Sequence, residues 1–336
     1  MNTFIQTDED RQEWDEFVET SPQGTILAKS WWLDAFDRIA RGNQTQIIAV
    51  RAKTGGIEAG IPLFIAHRCF GKAVVHPGLV AYCSVILPPI DRKDESRTVE
   101  RRAELMEQLL SALAGEGFRS IVLTHSPALQ DVREFIWHGW RAAPRYTYVQ
   151  DLTTFDANAT LSRNHGKSCR KAERLGYTAE GREASASDLD QFLPIFANSY
   201  RDARRKAYQR DCDAVRAYWP PCVDRRVALY YEAKDASGRV QSARVVLLSC
   251  RKTALDWLAA TTLEGRNDGA TVFLVAEMLK DLRNRGVESL DYSGANVRPI
   301  ALFKAGFNAT LSPYFTTEWR RPGAAKKLRD LVRPLI

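Results

Sequence analysis

The sequence predicts an α+β fold of two tandem units, each a mixed and mostly antiparallel sheet flanked by helices. Three observations lead there. The chain has 336 residues, too many for one ordinary core and suited to two of about 150. Its hydrophobic spacing switches repeatedly between helical and strand periods, with Gly or Pro at the changes. Its two tails also repeat one another. LMEQLLSALAGEGFRSIVL…FIWHGWRAAPRYTYV runs element for element with FLVAEMLKDLRNRGVESLD…LFKAGFNATLSPYFTTE, with 22 residues from Gly117 to Gly139 and 20 from Gly286 to Gly306. Two copies at this period point to duplication of one unit rather than a solenoid, although helix–strand–helix–strand also recurs by chance in mixed folds. The expected division is residues 1–150, residues 151–320, and a basic amphipathic C-terminal helix at 321–336.

The elements follow in order. Helices are expected at 9–19 and 30–41, where Trp and Phe recur at helical spacing. TQIIAVRAKTGGIEAGIPLFIAHR (45–68) reads as a hairpin turned at Thr-Gly-Gly, with more extended chain at 73–87. A helix over 97–115 carries Leu105, Leu109, Leu110 and Leu113 on one face and stops at Gly115 and Gly117. A strand at 119–124, a short helix at 131–138 and a strand at 145–152 close the first unit. The second opens with a helix at 159–175, a strand at 177–182 and a helix at 188–204. A further helix at 212–219 should be cut by Pro220-Pro221. Residues 225–262 hold three strands. A helix at 270–285 ends before Gly286, a strand follows at 287–292, and a short helix ending in Gly306-Phe307 leads to a last strand at 310–319.

Composition narrows the class. A chain 45% hydrophobic with eight Trp, 14 Phe and 11 Tyr can build real cores, which excludes disorder. The acidic start MNTFIQTDEDRQEW lacks a signal peptide, and the uncharged stretch from Gly78 to Ile90 is too short for a membrane helix. A cytoplasmic protein is therefore expected. Six cysteines form no CxxC pair and five histidines no HExxH, so no metal is expected. A net charge of +7 favours an anionic partner, such as a nucleotide-bearing cofactor, a phosphorylated acceptor or tRNA; a solvated basic face gives the same number.

Two stretches carry candidate chemistry. In TTLEGRNDGATVFLV (261–275), Arg266-x-x-Gly269-x-Thr271 leads from a strand into a helix. Such a turn aims backbone N–H groups and a helix N-terminus at one point, which suits a diphosphate. Arg266 and Thr271 add side-chain donors, Gly269 permits close approach, and Asn267 and Ala270 lie within the same turn. An ordinary turn capped by Asp268 would look similar. The second stretch, GANVRPIALFKAGF (294–307), sets Asn296 before a short helix ending in Phe303, Lys304 and the Gly-Phe pair.

The order strand, R-x-x-G-x-T, helix, strand, N-x-x-x-I-x-x-F-x-x-G-F resembles the GNAT superfamily of acyltransferases, with spacing one residue shorter than usual. The duplication, the basic segment LSRNHGKSCRKAERLGY (161–177), the end Phe303-Lys304-x-x-Phe307 and the DYSG strand end at 291–294 narrow this to a likeness with FemAB-like proteins, including BioF2-like acetyltransferase domains. The resemblance implies two tandem GNAT-like domains, the first degenerate, with the chemistry in the second or in the cleft between them. It further implies that the Arg266 segment holds the coenzyme A diphosphate and that the helix after Asn296 packs beside the thioester. The tyrosine that many GNAT enzymes use as a general acid is replaced here by Phe303, unless Tyr292 or Tyr314 substitutes. Lys304 would sit by the donor and stabilise an oxyanion, and Asp291 would receive the amine proton. Asp256, mid-strand, is a weaker base because alternation can turn it to solvent.

The basic segments have two readings each. Arg163, Lys167, Arg170, Lys171 and Arg174 recur at helical spacing and either bind acceptor or tRNA phosphates or form a solvated face. His165 among them reads as a surface residue. YRDARRKAYQR (200–210) interleaves Tyr200 and Tyr208 with Arg204 and other cations, as nucleic-acid or nucleotide-sugar sites do and as cleft loops also do. The basic tail could graze a membrane surface. The leading expectation is an N-acyltransferase moving an acyl group from acyl-CoA to a primary amine of a small-molecule, saccharide or cell-wall-type acceptor, without DNA. The alternatives are a transferase using aminoacyl-tRNA as FemX does, and a non-catalytic GNAT-like module in polysaccharide export.

Overall fold

A computed structural model describes residues 2–4, 8–39, 42–68, 71–89, 93–156, 161–201 and 205–321. The expected C-terminal helix falls, but for residue 321, outside the described residues. The first run of elements is β1 (Asn2–Phe4), α1 (Asp8–Thr20), α2 (Ser30–Asp37), β2 (Asn43–Arg51), β3 (Ile57–Arg68), β4 (Gly71–Val74), α3 (Glu95–Gly115), β5 (Ser120–Thr124), α4 (Arg133–Trp137) and β6 (Arg141–Asp151). The second is α5 (Arg163–Arg174), β7 (Thr178–Glu183), α6 (Ala186–Arg201), α7 (Arg205–Asp224), β8 (Ala228–Lys234), β9 (Val240–Leu248), β10 (Thr253–Thr261), α8 (Leu263–Asp268), α9 (Ala270–Asn284), β11 (Ser289–Asp291), α10 (Arg298–Ala305) and β12 (Thr310–Arg320).

These strands join in one sheet, in the order β1-β2-β3-β4-β5-β12-β6-β11-β10-β9-β8-β7. Each run contains one parallel pair, β4 with β5 and β10 with β11, and every other pair among the described strands is antiparallel. This is the tandem, mostly antiparallel α+β fold the sequence predicts. Sequence did not reveal that the two runs exchange their last strands. β12 pairs with β5 of the first run, β6 pairs with β11 of the second, and β6 and β12 lie side by side at the centre.

The cores follow the same crossing. One cluster holds Trp14, Trp32, Phe64 and Leu109 together with Phe192, Tyr218 and Tyr230, so it draws on both runs. Trp32 stacks on Tyr218 with ring centroids 4.5 Å apart. That packing explains one departure from expectation: α7 continues through Pro220 and Pro221. Each proline removes a helical hydrogen bond, but Tyr218, Trp219 and Cys222 are at most 2% exposed, and their burial holds the last turn in place. The second cluster surrounds α9, whose Leu274, Val275, Met278, Leu279 and Leu282 are fully buried. No helix among the described residues is long and apolar enough to cross a membrane.

Candidate active site

The site begins where two neighbouring strands part. β10 and β11 pair through Thr253↔Ser289, Ala254↔Leu290 and Leu255↔Asp291, after which β11 ends and β10 runs on to Thr261. A bulge between Asp256 and Leu258 inserts Trp257 into β10 as the strands diverge, and bulges re-aim side chains. The gap opens into a cavity of about 640 Å³ lined by Asp256 to Ala259, Thr261, Tyr292 to Gly294 and, at its far end, Arg266, Gly269 and Thr271.

That far end is built around Gly269. It takes φ +87°, ending α8 and starting α9, and a Cβ there would stand 2.5 Å from the Ser168 carbonyl oxygen on α5. Only glycine meets both demands. The segment differs from the expected capped turn. Residues 263–268 form the short helix α8, and Asp268 is not the N-cap of α9; its carboxylate accepts from Tyr177 at 3.2 Å and pairs with Lys171 at 3.2 Å. Lys171 also donates to the Asn267 carbonyl at 2.9 Å, so α5 braces this segment. The Arg266 side chain is exposed at the cavity mouth, and the Thr271 hydroxyl donates to Thr261 Oγ1 at 3.0 Å. Helix geometry leaves first-turn amides without acceptors inside their own helix, so the start of α9 offers an anion site at one end of the cavity.

The floor at the other end is charged. Arg244 on β9 and Asp256 form a buried ion pair, 4% and 6% exposed, and Arg244 lies over the Phe303 ring, 5.7 Å from its centroid. Arg244 Nε and Asp256 Oδ1 both lack partners among the described residues, as does the Tyr292 hydroxyl. Buried pairs with open valences contribute little to stability compared with apolar packing, and such groups in a cavity wall are open to a ligand. Burial holds the Tyr292 phenol well above its ordinary pKa, which disfavours ionisation.

Lys304 is buried beside them. Its Nζ donates to the carbonyls of Tyr292 and Gly294, and desolvation lowers its pKa to about 8, against the opposing pull of Asp256. Asp291 stands behind the turn. Its Oδ1 accepts from Thr147 at 2.6 Å and the Ser293 N–H at 2.8 Å, and its Oδ2 from Tyr82 at 2.6 Å. Burial raises its pKa. A carboxylate with three donors fixed on it positions the 291–294 turn; it lines neither cavity described here.

A second cavity of about 320 Å³ adjoins the first, lined by Tyr82, Arg145, Asn296, Val297 and Tyr314 among others. Asn296 replaces strand pairing where β11 has ended: its Oδ1 accepts from Tyr146 N at 2.9 Å and its Nδ2 donates to the Tyr146 carbonyl at 3.3 Å and to Tyr314 Oη at 2.8 Å. The Gly-Phe pair also has a geometric cause. A Cβ on Gly306 would lie 2.2 Å from the His165 ring, whose Nε2 donates to the Phe303 carbonyl at 2.9 Å. His165 is thus half-buried against Phe303 and Phe307 rather than free on the surface.

Of the expected site residues, Arg266, Gly269, Thr271, Tyr292, Phe303 and Lys304 share the larger cavity, and Asn296 lies in the smaller one. Asn267 is exposed outside both and Ala270 is buried behind the wall. Lys167 and Arg170 are exposed on α5, with Arg170 facing a separate hollow against α9. The Tyr200 side chain and Arg204 lie outside the described residues. Sequence reasoning passed over Arg244, Ser293, Trp257 and Tyr82, whose placement depends on strand pairing across the sheet.

Residues 161–299 match the family model described as the acetyltransferase (GNAT) domain. No curated protein matches the sequence. Among solved structures, FemX is similar at 13% identity, with TM-score 0.63 and coverage of 98% of this chain and 99% of FemX. A tandem GNAT protein from the clavulanic acid biosynthesis pathway is similar at 14% identity, TM-score 0.55, covering 96% and 100% of the two chains. The C-terminal domain of a putative lysylphosphatidylglycerol synthetase from Agrobacterium fabrum is similar at 15% identity, TM-score 0.56, covering 96% and 95%. These neighbours share the fold. Residues 161–299 thus match a GNAT acetyltransferase domain, set within a fold that the chain shares with these tandem neighbours.

Proposed function

We propose that the chain is an N-acyltransferase that takes acyl-CoA into the larger cavity and passes the acyl group to a primary amine entering through the smaller one. The observation that carries this is the single cavity running from the first turn of α9 to the parting of β10 and β11. In this reading residues 151–320 hold the donor. The amides beside Gly269, with Arg266, grip its diphosphate, and the acyl end reaches the gap, where unpaired strand groups and the charge of Lys304 favour a developing oxyanion. Residues 1–150 supply Tyr82 and Arg145 to the acceptor side, and a cytoplasmic location goes with this donor. No metal enters the reaction.

A second reading keeps the fold and takes aminoacyl-tRNA as donor. The open oxygen of Asp256 favours it, because the ammonium of an aminoacyl group would find a partner there. Titration of the intrinsic tryptophan fluorescence with acetyl-CoA separates the two. Saturable binding that weakens about tenfold in Arg266→Ala, the loss expected for one charge-assisted hydrogen bond, supports the thioester. No response to acetyl-CoA, with charged tRNA binding that falls steeply as salt rises, replaces it with the second reading.

A further inference from the structure

A group handed from one cavity to the other must change hands where they meet. Four residues line both: Trp257, Ser293, Gly294 and Ile300. Gly294 and Ile300 have no side chain that exchanges a proton, and the Trp257 indole N–H is committed to the Leu79 carbonyl at 2.7 Å. Ser293 remains. Its hydroxyl is shut off from solvent and has no hydrogen-bond partner among the described residues, a cost native structures seldom carry without a use.

The backbone points the same way. Ser293 adopts φ +58°, a left-handed conformation that penalises any residue with a Cβ and that glycine would take freely. Such strain persists where neighbours over-determine it, and they do so here. Asp291 accepts the Ser293 N–H at 2.8 Å, Thr147 Oγ1 accepts the Gly294 N–H at 2.9 Å, and Lys304 holds the carbonyls on either side of Ser293. Other acid–base groups stand off the junction. Both Asp291 oxygens are taken, Asp256 and Lys304 line only the larger cavity, and Tyr82 and Tyr314 only the smaller.

We propose that Ser293, its side chain turning from the buried position into the junction, is the proton shuttle of the transfer, an inference that rests on the acyl-CoA reading above. As the neutral amine nitrogen bonds to the acyl carbon and the C–S bond breaks, one amine proton passes to Ser293 Oγ while the hydroxyl's own hydrogen passes to the departing sulfur. One N–H and one C–S bond are lost, one C–N and one S–H bond are gained, and the hydroxyl ends as it began. A separate buried base is not required, and neither is the tyrosine acid that Phe303 replaces.

The test compares Ser293→Gly and Ser293→Ala with wild type, using acetyl-CoA as donor and hydroxylamine as the probe amine, with thiol release as readout. Acetyl-CoA affinity is measured separately by tryptophan fluorescence. The shuttle requires affinity within twofold of wild type and a kcat lower by about 100-fold or more in both variants, the range for general acid–base groups. Ser293→Gly should also show a raised Tm, because it releases the backbone strain while losing turnover. Retention of kcat within threefold in either variant, with acetyl-CoA still bound, overturns the shuttle and leaves the acyl-CoA reading standing. A wild-type protein that binds no acetyl-CoA overturns both.

Discussion

At the scale of single residues, Lys304 shows how a side chain can hold a site together at a cost to stability. The residue is 9% exposed, and desolvation brings its pKa from 10.5 to about 8. Between those values the unfolded chain binds more protons than the folded one, so stability rises with pH across that window. Below about pH 8 both states are protonated and the penalty is present in full. The stabilities of wild type and Lys304→Met from denaturant melts should therefore differ in slope from pH 8 to 10.5, wild type gaining up to about 1.4 kcal/mol per pH unit relative to the variant. Parallel curves would show that the lysine is not desolvated. Lys304 and Gly269 were legible in the sequence because each sits in a short local motif. Arg244 was not, and Asp256 was ranked only as a weaker base, since the two meet only through the β9–β10 ladder. Asp256 stays out of solvent despite strand alternation because β10 is covered on both faces, with Ala254 buried in one core cluster and Leu255 in the other.

At the scale of elements, α5 links the parts of the donor site. Its Ser162 cap bonds the His165 N–H at 3.3 Å, His165 docks on the end of α10, and Ser168 and Lys171 meet the Gly269 segment. The cationic face visible in the sequence is real, but Lys171 on it serves the protein's own loop. What the sequence could not show was the partner, because α10 begins more than 120 residues after α5 ends. Gly306→Ala tests the linkage. A methyl 2.2 Å from the His165 ring must push α5 away, and overpacking of this kind costs about 1–3 kcal/mol. Amide hydrogen exchange should quicken in residues 163–174 and also in residues 265–272, while β2 and β3 stay protected. Faster exchange confined to α10 would mean that α5 does not position the donor segment.

At the scale of the whole molecule, the exchange of β6 and β12 makes each half depend on the other. The duplication was readable from the paired tails, but the exchange was not, since either pairing satisfies the same alternation of side chains. A fragment of residues 1–156 would lack β12 beside β5 and the Tyr218 ring on Trp32. Expressed alone, it and residues 157–336 should each aggregate or unfold, and co-expression should yield one complex at the mass of the intact chain by size-exclusion chromatography. A monomeric, cooperatively melting fragment from either half would contradict this.

The position of β12 also bears on how the chain is made. It is translated after every other described strand, yet it lies between β5 and β6, with partners 170 or more residues earlier in the case of Thr316↔Ala143 and Thr316↔Thr124. Until it emerges from the ribosome, the nascent protein carries two open strand edges facing one another across an empty slot. Such edges invite pairing with other chains, so a chaperone that shields them, or a pause in synthesis that prolongs their exposure, would govern the yield of this protein more strongly than the stability of the finished sheet.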